Sequence, residues 1–154
     1  MKILEEKIKS IPDLDLVSLL GGSAMVNVEI KSNFDLITLS NEGITKGSLE
    51  ALIAHLGISR KDFAENILNI SVKTLERKKS EDKLDRHISS HIIEIAKVVE
   101  HSFEVFENKE KVRQWLNTSN RALNNMKPID LFYIPTGLAM VNTVLGRIEE
   151  GVYS

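Results

Sequence analysis

Apolar side chains recur along most of the chain at the three- and four-residue spacing of an amphipathic helix. The longest such face begins near His87 and comprises Ile88, Ile92, Ile95, Ala96, Val99, Phe103 and Phe106. A second face follows Pro135, which suits the first turn of a helix; it comprises Leu138, Val141, Leu145 and Ile148. Between the two faces, Asn108 and Pro128 are placed to begin shorter helices, and Gly151 is placed to end the last one. The pattern predicts an all-α protein.

Three short helices with capping signals precede the long one, over Ser48–Leu56, Ser59–Leu68 and Ser71–Lys79. A serine stands at the N-cap position of each of the last two. Asn69 tolerates the positive φ that a tight turn needs, and Ala64 is small where two helices must cross closely. This order and spacing favour a helix-turn-helix, whose third helix would read DNA.

The third of these helices carries four cations against the single carboxylate Glu76. Cations here would neutralise phosphates, and the side chains at the start of the helix would reach base edges. The candidate DNA-binding residues are Ser71, Lys73, Thr74, Arg77 and Lys78.

Other features keep open the alternative of a three-helix packing unit with a solvated, lysine-rich end. Carboxylates such as Glu65 and Asp82 dilute the positive field. The turn also carries Leu68-Asn69 where a glycine is common, and it is one residue longer than usual. The docking angle of the third helix is therefore left open.

Residues 1–32 carry weaker signals, and we interpret them as an N-terminal arm. Lys2–Lys9 is compatible with a short amphipathic helix. A second short helix is predicted after Pro12, and the glycines at 21 and 22 would stop it. The segment Met25–Ile30 alternates apolar and polar side chains, which fits either a strand or an extended arm.

The same signals divide the rest of the chain into a helix-turn-helix domain over residues 33–84 and a C-terminal helical domain over residues 85–154. A chain of 154 residues suffices for two small lobes that share a core. We therefore expect the helix-turn-helix lobe to pack on the C-terminal domain. The formal net charge is only -2, so any nucleic-acid binding must depend on a local patch.

No group of residues predicts catalysis or a bound cofactor. The chain has no cysteine, no Gly-rich phosphate loop and no nucleophile elbow. His87 and His91 could share a helix face, but Glu94 is the only nearby third ligand and is not spaced as in zinc-binding helices, so we expect no metal site. No apolar run is long enough for a signal peptide or a membrane span, which predicts a cytoplasmic protein with no membrane partner.

The C-terminal domain carries the most specific signal. Trp115 opens the string WLNTSNRALNNMKPIDLF, and the chain ends in GLAMVNTVLGRIEEGVYS. Together with VKTLERKK before them, these strings resemble the Xre/MbcA/ParS family of antitoxins, in which W-L, A-L, P-I-D-L and R-I-E-x-G occur in this order. The resemblance extends over residues 33–154.

The resemblance implies one half of a type II toxin–antitoxin pair. The chain would bind a RES-domain toxin, which consumes NAD, and would cover the entrance of its active site. It would also bind and repress its own promoter. The implied toxin contacts are Arg147, Glu149, Gly151 and Tyr153. Further positions match the family and are interpreted as scaffold: Trp115, Leu123, Pro128, Leu131 and Gly137.

The expected assembly is a homodimer, because helix-turn-helix proteins usually read paired half-sites, and a higher complex with the toxin. One alternative remains open, a stand-alone helix-turn-helix transcriptional regulator. In that protein the C-terminal half would serve only for dimerisation.

Overall fold

A computed structural model describes residues 14–151 of the chain, and within that range it contains helices and irregular segments but no strand. The α-helices are α1 (Leu16–Leu19), α2 (Asn33–Glu42), α3 (Lys46–Leu56), α4 (Arg60–Asp62), α5 (Val72–Glu76), α6 (Arg86–Phe106), α7 (Lys109–Leu116) and α8 (Pro135–Glu149). A π-helical turn, Phe63–Ile67, continues α4, and two 3₁₀ turns, Arg121–Leu123 and Pro128–Leu131, lie between α7 and α8. The predicted all-α class is confirmed.

Most helix ends follow local capping chemistry, as the sequence predicts. The Ser59 hydroxyl accepts from the amide of Asp62 at 3.0 Å, and the Asn108 side chain accepts from the amide of Lys111 at 3.0 Å. The predicted start of α3 at Ser48 is wrong by two residues. Thr45 is the N-cap instead, and its hydroxyl accepts from the amide of Ser48 at 3.1 Å.

The N-terminal arm is only partly described. The predictions at Lys2–Lys9 and Pro12 lie outside the described residues. The short helix before the glycine pair is confirmed as α1, which Asp15 caps, and Gly21 and Gly22 follow it with φ of 99° and 87°. The strand alternative for Met25–Ile30 is wrong, because this segment is irregular.

The long helix α6 lies at the centre of the described fold. It packs against α1 and α2 on the side of the helix-turn-helix, and against α7 and α8 on the other side. The buried apolar residues of both halves form one continuous core. The packing of the N-terminal lobe on the C-terminal domain is confirmed, whereas the boundary at residue 85 stays a prediction.

A second connection between the halves is made by Arg113 on α7. Its guanidinium donates to the carbonyl oxygen of His55 at 3.1 Å and to that of Ala54 at 2.7 Å, both at the end of α3. A cation here stabilises the last carbonyls of a helix. Within residues 14–151, no helix is long and apolar enough to span a membrane.

Candidate functional sites

The turn between α4 and α5 contains the extra residue that the sequence indicates. The π-helical turn accommodates it: the amide of Leu68 donates to the carbonyl oxygen of Phe63, five residues earlier, at 3.0 Å. Asn69 then takes a φ of 55°, the left-handed conformation predicted for it. Ala64 is fully buried at the crossing, and its carbonyl oxygen accepts from the amide of Ile70 at 2.9 Å. The local helix-turn-helix geometry is thus preserved.

The third helix of the motif is shorter than the sequence predicts. α5 ends at Glu76, so the predicted extension to Lys79 is wrong, and Arg77 is its C-cap residue. Leu75 is fully buried and anchors one side of the helix. At 100° per residue, Lys73 and Arg77 lie about 160° from Leu75 around the axis, so both face outward.

The remaining candidate DNA-binding residues have different surroundings. The Ser71 hydroxyl accepts from the amide of Lys73 at 3.2 Å and caps α5. Thr74 and Lys78 border a cleft of about 360 Å³ whose far wall includes Leu84 and Ile88. Of the five candidates, Lys73 and Arg77 therefore lie together on the outer face, whereas Thr74 and Lys78 lie on its flank.

Lys46 is a positioning residue that sequence reasoning missed. It is only 9% exposed, and its Nζ donates to the carbonyl oxygen of Lys78 at 2.7 Å. The amide of Gly47 also donates to the carbonyl oxygen of Ser80 at 2.8 Å. These bonds hold the segment after α5 against the start of α3. They also account for the early end of α5, because the chain must turn here to reach α3.

The C-terminal candidate residues do not form one cluster. Arg147 and Glu149 are two residues apart on α8 and therefore point about 160° away from each other around the axis. Glu149 is beside α6, with Oε1 3.5 Å from Nε2 of His101. Arg147 is exposed on the outer face, which Met140 shares at a spacing of seven residues. Gly151 follows α8 with a φ of 77°, and Tyr153 lies outside the described residues.

Exposed apolar side chains beside the start of α8 were also missed by sequence reasoning. Tyr133 and Ile134 directly precede the helix, and Met140 lies on its outer face. Tyr133 and Met140 are next to the buried residues Phe132 and Val141 in the sequence, so spacing alone did not separate them from core residues. Apolar groups of this kind favour a contact with another protein.

The positions interpreted as scaffold are packed inside the C-terminal domain. Leu123, Pro128 and Leu131 are buried, and Trp115 is half-buried against the ring of Phe106 at a centroid distance of 5.4 Å. At Gly137, an added Cβ would lie 2.0 Å from the carbonyl oxygen of Leu131. Only glycine lets α8 approach this 3₁₀ turn so closely.

The pair His87 and His91 is not arranged as two ligands of one ion. The ring Nε2 of His91 donates to the carbonyl oxygen of Phe132 at 2.8 Å, whereas His87 is exposed beside α2. His55, the histidine of α3, packs edge-on against Phe103 with ring centroids 6.5 Å apart. Burial, aided by Lys109 and Arg113, lowers the pKa of His55 below its ordinary 6.5.

Two family models match the chain in the order of its two halves. The antitoxin Xre-like helix-turn-helix domain matches residues 35–97, and the antitoxin Xre/MbcA/ParS C-terminal toxin-binding domain matches residues 101–151. The chain belongs to the Xre/MbcA/ParS family of antitoxins. Among curated proteins, the Xre antitoxin of Photorhabdus laumondii subsp. laumondii is 28% identical over 90 residues, which cover 57% of this chain and 61% of that protein.

The two Xre-family matches coincide with the two candidate sites. The helix-turn-helix match includes α3, α4, α5 and most of the long helix, and hence all five candidate DNA-binding residues. The toxin-binding match begins at His101 near the end of α6 and reaches Gly151. It includes Arg147 and Glu149 but does not extend to Tyr153.

Proposed function

We propose that this Xre-family protein is the antitoxin of a type II toxin–antitoxin pair, whose partner is a RES-domain toxin that consumes NAD. Its C-terminal half would neutralise the toxin by covering the entrance of the active site, in the cytoplasm. The proposal is supported above all by the presence of a helix-turn-helix match and a toxin-binding match on one chain.

Inhibition by occlusion needs a rigid surface and no chemistry. The close packing of Gly137 on Leu131 fixes the start of α8 relative to the domain. The outer face of α8 then presents Met140 and Arg147, and both residue types are enriched at protein interfaces. A concave active-site entrance would accept such a helix end, and Arg147 would bind a toxin carboxylate through paired hydrogen bonds.

A co-expression rescue assay tests this proposal. Where an adjacent reading frame encodes a RES-domain protein, that protein serves as the toxin, and the antitoxin is expressed with it in a bacterial host. The double variant Arg147→Ala, Glu149→Ala should lose most of its protection. The matched control is Lys111→Ala, Glu110→Ala, which removes the same pair of charges from exposed positions of α7.

The outcomes separate the two candidate functions. Loss of protection in the first variant alone supports neutralisation through α8. Full protection by that variant would contradict the assignment of Arg147 and Glu149. The stand-alone regulator would be favoured if no RES-like reading frame lies beside the gene and co-expression of the wild-type protein does not reduce the toxicity of a RES-domain toxin.

The other half of the proposal is repression of the protein's own promoter. Lys73 and Arg77 share the outward face of α5 and can each contact a phosphate, while Thr74, near the start of the helix, would reach a base edge. Lys46 donates to the carbonyl oxygen of Lys78 and so fixes the chain that directly follows α5. Affinity should therefore depend on a small local patch and fall steeply with salt.

A homodimer formed through α2 would provide two recognition helices, one for each half-site of the operator. Phe34 is 79% exposed and Ile37 is 55% exposed, beside a groove of about 610 Å³ between α2 and α6. Arg86 stands on the α6 side of that groove, and α2 ends in Glu42. A two-fold contact would place α2 of one copy against α6 of the other, which buries both Phe34 side chains and brings unlike charges together.

A further inference from the structure

Three potential metal ligands converge where α6 and α8 meet. His101 and Glu104 lie three residues apart on α6, and Glu149 is in the last turn of α8. One ligand atom from each residue lies within 4.8 Å of the other two. His101 and Glu104 lie at the start of the match to the toxin-binding domain, and Glu149 lies near its end. Only the packing of α8 on α6 brings the three side chains together.

The ring of His101 is oriented by a neighbour on α8. Its Nδ1–H donates to Oδ1 of Asn142 at 2.6 Å, so in the neutral ring the lone pair lies on Nε2. That Nε2 lies 3.5 Å from Oε1 of Glu149. Two lone-pair atoms at this distance attract each other only when a positive charge lies between them, either a proton on the ring or a metal ion.

We propose that His101, Glu104 and Glu149 form a binding site for a divalent transition-metal ion, with Zn²⁺ as the best-suited ion. A metal-bound imidazole usually donates its other N–H to an oxygen acceptor, and Oδ1 of Asn142 accepts from His101 in this way. Imidazole as a ligand favours Zn²⁺ over Mg²⁺ or Ca²⁺, which prefer oxygen alone. Water would complete the coordination.

The spacing of the ligand atoms fits this ion after a small adjustment. Ligands about 2.1 Å from a tetrahedral Zn²⁺ lie about 3.4 Å from one another. The pair His101 and Glu149 already has this separation, at 3.5 Å. Glu104 is exposed, so rotation of its side chain can close the remaining distance.

A bound ion would join the last turn of α8 to α6. The chain beyond Glu149 turns at Gly151, whose φ is 77°. A metal ion that joins Glu149 to α6 would slow the opening of the last turn of α8, which is measurable as slower amide hydrogen exchange from residue 146 to 150.

Titration of the untagged full-length protein with Zn²⁺ alone tests the site. We expect one ion per chain by calorimetry, and with Co²⁺ a visible absorption band typical of tetrahedral coordination. His101→Ala and, independently, Glu104→Gln should abolish binding. The matched control His87→Ala, an exposed histidine of the same helix, should bind as the wild type does.

Asn142 is a positioning residue in this proposal, because it touches only the histidine. Asn142→Ala should weaken Zn²⁺ binding about 10–100-fold and change the Co²⁺ spectrum, while the fold is retained. No saturable binding by the wild type, or equal losses in His101→Ala and His87→Ala, would overturn the proposal. The pair His101 and Glu149 would then be an ion pair between a protonated ring and a carboxylate.

The metal site stands independently of toxin neutralisation. Glu104 is not among the proposed toxin contacts, so Glu104→Gln separates the two. Loss of Zn²⁺ binding with full protection in the rescue assay supports the metal site alone. Retained Zn²⁺ binding in Glu104→Gln contradicts its ligand role, whatever the rescue assay gives.

Discussion

The amide of Leu68 donates to the carbonyl oxygen of Phe63 at 3.0 Å, across five residues instead of the four of an α-helix. This bond closes the π-helical turn inside the second helix of the helix-turn-helix. Because the turn takes up one extra residue, Ala64 stays at the helix crossing and Asn69 stays at the left-handed position. The longer linker predicted from the sequence therefore does not displace α5 from the motif.

The left-handed turn at Asn69 gives a first prediction. Asn69→Val should lower the free energy of unfolding by about 1–2 kcal/mol, because a β-branched residue tolerates a φ of 55° poorly. Asn69→Gly should change it by less than about 0.5 kcal/mol. Urea unfolding measures both, with Asn66→Val, an exposed position of the π-helical turn, as control. Equal effects of the two valine substitutions would contradict the role of the turn.

The two glycines of α8 form a matched pair for a second prediction. Gly137→Ala should lower the free energy of unfolding by about 3 kcal/mol, since the new Cβ would lie 2.0 Å from the carbonyl oxygen of Leu131. A Cβ added at Gly146 has no neighbour within 4 Å, so Gly146→Ala should stabilise the helix by about 0.5–1 kcal/mol. In both thermal and urea unfolding, the two substitutions should therefore change the stability in opposite directions. A neutral Gly137→Ala would mean that α8 does not need this close approach.

The outward cations of α5 give a third prediction. Lys73→Ala with Arg77→Ala should abolish retardation of promoter DNA at low salt, because both phosphate contacts are lost. Arg121→Ala with Lys127→Ala removes the same charge from exposed positions of the C-terminal half and should leave retardation intact. A wild-type protein that does not retard its own promoter would contradict autoregulation.

The lowered pKa of His55 gives a fourth prediction. Burial, with Lys109 and Arg113 nearby, lowers the pKa of the His55 ring in the folded protein below its ordinary 6.5. Just below pH 6.5, the unfolded chain therefore takes up a proton at this ring more readily than the folded protein does. The unfolded state then binds more protons, so stability falls as the pH falls below 6.5.

Thermal melting across that range measures the effect. Between about pH 7 and pH 5 the melting temperature of the wild type should fall more than that of His55→Gln, which lacks the titrating ring. His87→Gln, at an exposed position, should follow the wild type. Parallel curves for the wild type and His55→Gln would show that other groups cause the acid sensitivity.

The exposed ring of Phe34 gives a fifth prediction. Phe34→Asp should shift the protein from dimer to monomer in analytical ultracentrifugation, because a carboxylate cannot be buried at a two-fold contact without a partner. Met126→Asp changes an apolar residue that is also exposed, at 41%, but on the other half, and should leave the dimer intact. A wild type that is monomeric at all concentrations would contradict the α2 interface.

The helix ends and the buried faces could be predicted from the sequence because they depend on nearby residues. Ser59, Asn108 and Asn69 act on backbone groups within a few positions, so their roles follow from spacing alone. The start of α3 was misplaced because Thr45 and Ser48 are both acceptable caps. Only the backbone bonds from this segment to residues 80 and 82 select the first of them.

The sequence by itself determined the all-α class, the helix-turn-helix, the family and the order of the two halves. The tertiary structure decided which side chains meet: Lys46 with the carbonyl of Lys78, Arg113 with the end of α3, and His101 with Glu149. It also separated Arg147 from Glu149, which a family motif presents as neighbours. The physical reason is that caps and helix faces are set within a few residues, whereas these contacts depend on how distant helices pack.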